Sequence, residues 1–87
     1  MISITVHNAD IVDLFVLVVD NNQPGTPTVF NQRLNRDASS APFSVQEDGN
    51  GKCFITWTAI DTGDPTHTRT TSVNDKSAGD QVDVAAS

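Results

Sequence analysis

Apolar and polar residues alternate in short runs along this chain, and each run ends in a cluster of Gly, Pro, Asn or Asp. The clearest alternation lies between positions 52 and 60. Cys53, Ile55, Trp57 and Ala59 share one parity, whereas Lys52, Phe54, Thr56, Thr58 and Ile60 share the other. Only a period of two produces that split, so it predicts a strand and not a helix. A shorter strand-like run at 43–47 precedes it, followed by Asp48-Gly49-Asn50-Gly51. Asp-Gly and Asn-Gly tolerate the positive φ that tight turns demand. The stretch 43–60 therefore reads as a central hairpin that supplies much of the core.

The other runs follow the same logic. Ile2, Ile4 and Val6 alternate with Ser3, Thr5 and His7, which predicts a half-buried first strand. Positions 11–19 are apolar on both parities and rich in Val, interrupted only by Asp13. Composition and length make this a strand that must be covered on both faces; the second cover is a loop, the far end of the chain or another subunit, and the last of these is the sequence argument for self-association. Pro27 opens a weaker strand over 28–34, as suits a sheet edge. The run 66–73 is rich in Thr and nearly free of apolar residues, which predicts a strand exposed to water. Val82 and Val84 mark a last, short strand over 81–84. The sum is a single domain over residues 1–87, an all-β, small antiparallel β-sandwich of about seven short strands. Its likeness to immunoglobulin domains is one of architecture, because their Cys-Trp-Cys framework is absent.

Charge and composition remove several functional classes. The net charge is −6, and the five basic residues are scattered. A duplex binder needs several phosphate contacts from Lys and Arg, so nucleic acid is set aside. An anionic membrane surface repels such a chain, and no apolar run approaches the length of a membrane span. No basic segment precedes an apolar stretch at the N-terminus, so the expected location is the cytoplasm, or outside after export without a cleaved signal peptide. Cys53 is the single cysteine, which excludes an internal disulfide and reads as a buried, inert thiol.

Candidate chemistry is sparse. Neither a nucleophile elbow nor a Gly-rich phosphate loop is present, so the chain does not read as an enzyme. His7 and His67 lack the short spacing of a zinc site. The loops are rich in oxygen donors. Asp48, Asn50, Asp61 and Asp64 are candidate ligands for Ca2+ if loops converge at one end of the molecule. Asp48-Gly49-Asn50 resembles the start of a calcium loop, but Lys52 occupies the third acidic position. The Thr-rich strand suggests a hydrogen-bonding surface for a polar ligand. The leading expectation is a non-catalytic, lectin-like module binding a carbohydrate, with Phe54 for stacking and Thr56, His67 and Arg69 for polar contacts. The alternative is a structural or assembly protein, a homo-oligomer or a partner-binding subunit, that works through its sheet faces.

Overall fold

A computed structural model describes residues 1–87. The chain is all-β, with seven strands: β1 (Ile2–Asn8), β2 (Leu14–Asp20), β3 (Thr28–Leu34), β4 (Phe43–Val45), β5 (Ile55–Asp61), β6 (Thr68–Val73) and β7 (Gln81–Val84). They form two sheets. One has three strands in the order β4-β1-β7, and the other has four in the order β3-β2-β5-β6. No helix is long and apolar enough to cross a membrane.

Strand parity follows the alternation of residue types. Ile4 and Val6 of β1, Leu14, Val16 and Val18 of β2, and Ile55, Trp57 and Ala59 of β5 are buried. Val45, Val82 and Val84 from the three-stranded sheet join Phe30, Leu34 and Cys53 in the same apolar cluster. Each sheet thus turns its apolar parity toward one shared core.

Three expectations need correction. First, the pairing is not wholly antiparallel, because β1 and β7 run parallel from Thr5↔Gln81 to Asn8↔Val84. No short turn joins these two strands, so nothing imposes the antiparallel sense that a hairpin would. Second, residues 43–60 do not form a hairpin of paired strands. The turn forms, with the Asp48 amide donating to the Lys52 carbonyl at 2.8 Å and Gly51 at φ 75°. Beyond one bridge between Glu47 and Cys53, however, β4 pairs with β1 while β5 pairs with β2 and β6. Third, the second strand starts at Leu14 and not at Ile11, which is 75% exposed. Polar contacts make the turn there: the Asp10 amide donates to Asn8 Oδ1 at 2.8 Å and the Ile11 amide to Asp10 Oδ1 at 2.7 Å.

Two polar side chains are wholly buried, Asn8 and Asp20. Asn8 ends β1 and donates through Nδ2 to the carbonyls of Val12 (2.8 Å) and Leu34 (3.0 Å). Leu34 is the last residue of β3, so this amide ties the two sheets together. Asp20 ends β2 and accepts through Oδ2 from the Gln46 amide and from Gln23 Nε2, both at 2.7 Å, and through Oδ1 from the Asn22 amide at 3.1 Å. Gln46 follows β4, so this carboxylate also links the sheets. Leu14, at the start of β2, pairs with Leu34, so the two links lie at opposite ends of β2. A buried polar group left unpaired costs roughly 1–3 kcal/mol. Asn8→Ala strands two carbonyls and Asp20→Ala strands the amides of Gln46 and Asn22, so urea unfolding should show each variant destabilised by about 2 kcal/mol or more. A loss no larger than that of a surface control such as Ser44→Ala would contradict the linking role.

Candidate functional site

The residues singled out for sugar binding do not converge. Thr56 pairs with Ser72 on the outward parity of β5 and β6. Arg69 pairs with Ala59 and so takes the inward parity, with its guanidinium 6.0 Å from the centre of the Trp57 ring. Phe54 precedes β5 and is 41% exposed, while His67 sits in the turn before β6 at the other end of β5. His67 Nδ1 lies 3.7 Å from Asp64 and 4.0 Å from Asp61. Phe54 is the exposed aromatic of the set, but only Thr56 shares its parity on the same strand run, and the ring beside Arg69, Trp57, is buried.

The candidate calcium ligands are likewise divided. Asp48 and Asn50 precede β5, and Asp61 and Asp64 follow its start by a full strand of seven residues, or about 20 Å. No three His, Cys, Asp or Glu side chains come close enough to hold a metal ion. Their oxygens already cap turns. Asp48 Oδ1 accepts from the amides of Asn50 (2.8 Å) and Lys52 (3.0 Å). Asp61 Oδ1 accepts from the Gly63 amide at 2.8 Å, and Asp64 Oδ1 from the Thr66 hydroxyl at 2.6 Å. The three aspartates are accounted for by Asx-type turn chemistry, and Asn50 enters it only through its backbone amide.

Three clefts indent the surface. The largest, about 390 Å3, opens between the free edges of β6 and β7 and is lined by Trp57, Arg69, Asp75, Lys76 and Asp83, among others. A second, about 280 Å3, lies beside β3 and β4 near the stacked rings of Phe30 and Phe43, whose centres are 5.0 Å apart. The third, about 190 Å3, gathers Asp10, Ile11, Asp61, His67 and Ser87. None pairs a nucleophile with a hydrogen-bonded base. Trp57 Nε1 is the one buried side-chain polar atom without a hydrogen-bond partner.

The outer face of the four-stranded sheet is different in kind. Cross-strand register arranges its residues in three rows. The middle row runs Asn31, Leu17, Thr58, Thr70. On one side lies Arg33, Phe15, Ile60, Thr68, and on the other Thr28, Val19, Thr56, Ser72. Phe15, Leu17 and Val19 form an apolar stripe along β2, and Phe15 is 37% exposed. Beside the stripe, hydroxyls pair across strands: Thr58 with Thr70 and Thr56 with Ser72, each at 3.0 Å. None of the eleven carboxylates of the chain falls on these three rows. The one charge, Arg33, is matched by Asp13 at 2.8 Å. The opposite outer face carries Ser3 beside Ser44, Thr5 beside Gln81 and His7 beside Asp83, with no apolar residue.

The sheet edges are blunted. β4 has three residues and β7 four. β3 follows Pro27 and carries a register shift that leaves Val29 without a partner on β2. On β6, Arg69 takes the inward parity over Trp57 at the sheet edge while remaining exposed. Short edges, bulges, Pro and inward charges all oppose edge-to-edge pairing. Sequence reasoning had found the two-faced character of β2. It had not found Ile60 or the hydroxyl pairs as neighbours of that stripe, because only the strand order β2-β5-β6 places them there.

Comparison of the chain with protein-family models, with curated proteins and with solved structures found no match.

Titration follows from the hydrogen bonds. Amides and hydroxyls hold four carboxyls below the usual range. For Asp13 the Arg36 amide leads, followed by the Arg33 side chain. For Asp48 the amides of Lys52 and Asn50 lead, and for Asp64 the hydroxyl and amide of Thr66. At Asp10 the largest single influence is burial, which raises the pKa, but donors from Ile11, Ala86 and Ser87 together outweigh it. A depressed carboxyl stabilises the fold above its unfolded value, near 3.8, and the benefit fades as pH falls through the folded value. The melting temperature should therefore hold steady above about pH 5 and drop below about pH 4, and a flat profile down to pH 2 would contradict these four contacts. Cys53 is fully buried, and desolvation pushes its thiol above the ordinary value. Ellman's reagent should leave the native protein unmodified and titrate one thiol once the chain is unfolded in urea.

Proposed function

We propose that this protein is a non-catalytic interaction module, a small β-sandwich of immunoglobulin-like architecture that meets a protein partner through the outer face of its four-stranded sheet. The observation that carries this reading is the apolar stripe of Phe15, Leu17 and Val19, set among hydroxyls on a face without a carboxylate. Interface centres are depleted in charge and enriched in aromatic and apolar groups relative to the rest of a surface. The polar face of the other sheet is an internal contrast, because the same chain builds an ordinary solvated surface there.

This reading ranks above a calcium-assisted, lectin-like one. A sugar platform needs Phe54, Thr56, His67 and Arg69 within one ligand's reach, and a calcium site needs six to eight oxygens around one point. Strand parity divides the first set and the length of β5 divides the second.

The stripe should bind a neutral solvatochromic dye such as Nile red when the protein is dilute. Leu17→Lys should remove most of that signal, and Thr5→Lys, on the opposite sheet, should leave it unchanged. Near-ultraviolet circular dichroism of each variant checks that native packing is retained, since loosened cores also bind such dyes. Equal dye binding by wild type and a folded Leu17→Lys would remove the basis for the reading.

A further inference from the structure

We infer that the occupant of this face is a second copy of the same chain, docked by a two-fold axis that passes near Leu17 and Thr58. The inference rests on the interaction-module reading and adds the identity of the partner.

Charge selects the partner. A basic protein would bury Lys or Arg against a surface, and those charges need carboxylates opposite them. The three outward rows offer none. A partner that presents carboxylates to the face would gain no ion pair at the contact, since Arg33 already pairs with Asp13. A second copy brings a face that is uncharged at its centre and has its one cation neutralised from within. Apolar stripe meets apolar stripe, and no unpaired charge is buried.

Symmetry gives the arrangement. A two-fold contact places the same patch on both sides, and the residues at its centre meet their own counterparts. The central pair of the sheet is Leu17↔Thr58, flanked by Asn31 and Thr70 in the same row. An axis there sets each apolar stripe across the other and lets the paired hydroxyls at the flank stay hydrated or exchange partners. The blunted edges oppose strand-to-strand pairing and leave face-to-face contact as the route to a dimer.

Area sets the strength. Four strands about 4.8 Å apart and three rows about 7 Å apart give roughly 400 Å2 of projected contact on each copy. Stable complexes bury about 800 Å2 of accessible surface per partner. The dimer is therefore a weak one, populated at high protein concentration. Its salt dependence has a definite sign. Two copies at −6 repel each other, and salt screens that repulsion without weakening an apolar contact. Added sodium chloride tightens this dimer, whereas it would loosen a complex held by opposite charges.

Sedimentation equilibrium over a concentration series, at low and at physiological salt, tests the proposal. Wild type should pass from monomer to dimer, more readily at the higher salt. Leu17→Lys and Thr58→Arg should each weaken the dimer about tenfold or more, equivalent to ~1.4 kcal/mol or more, and Thr5→Lys should match wild type. Thr58→Arg keeps the apolar stripe intact, so the test survives if Leu17→Lys folds poorly. A wild type that stays monomeric at millimolar protein overturns the second-copy proposal. Dimers that persist in both face variants overturn it too, since the contact then lies elsewhere. Dye binding separates the two levels: a monomer whose stripe binds Nile red loses only the second copy, and one that binds none loses the interaction reading as well.

Discussion

The two sheets of this protein share no hydrogen-bonded ladder, so their union depends on burying one apolar cluster between them. Fourteen buried residues drawn from six of the seven strands and from Cys53 make up that cluster. Apolar burial is strong but non-directional. It favours closing the sheets and does not by itself fix how one slides over the other. Asn8 and Asp20 supply the direction. Each sits where an apolar strand parity runs out, and each bonds a neighbouring loop and a residue in or beside a strand of the other sheet. A sliding motion of one residue would leave those buried groups without partners, and the penalty for that is large in a poorly solvated interior. The layers are therefore joined by burial and indexed by two polar side chains, one toward each end.

How much of this was legible depends on the range of the interaction. Strand parity is local, and it was readable at almost every position of β1, β5 and β7. Turn chemistry is local too, and Asp48-Gly49-Asn50-Gly51 does turn the chain. Pairing is not local. The residues after that turn leave for a different sheet, with the Cys53 amide donating to the Lys76 carbonyl at 2.8 Å instead of continuing a ladder with β4. The buried polar pair did leave a trace, since Asn8 continues the inward series Ile4, Val6, and Asp20 continues Val16, Val18. Read as breakers of the apolar pattern, they looked like loop residues. Read as its next inward positions, they mark where a strand ends inside the protein.

The candidate site shows the same division. Thr56 and Arg69 look like neighbours when polarity alone is followed, yet parity sends one outward and the other over Trp57. Asp48 and Asp61 look like one acidic set when composition is followed, yet β5 stands between them. Conversely, a net charge of −6 describes an average, and it conceals a sheet face without a single carboxylate. The two-faced strand β2 was visible in the sequence because its apolar residues occupy consecutive positions. Its setting was not, because Thr58, Thr70 and Asn31 reach it only through the order of strands.

The parallel pairing of β1 with β7 has a mechanical consequence. The chain enters β1 at one end of the molecule and leaves β7 at the other, where Ser87 and Ala86 reach Asp10. Tension applied to the chain before β1 and after β7 pulls these two strands along their length in opposite directions. The four paired positions from Thr5 to Asn8 then bear the load together, in shear, and do not open one at a time as the rungs of a hairpin would. A short parallel ladder between the first and last strands makes the fold a clasp, stiffest along the line that runs from one end of the chain to the other.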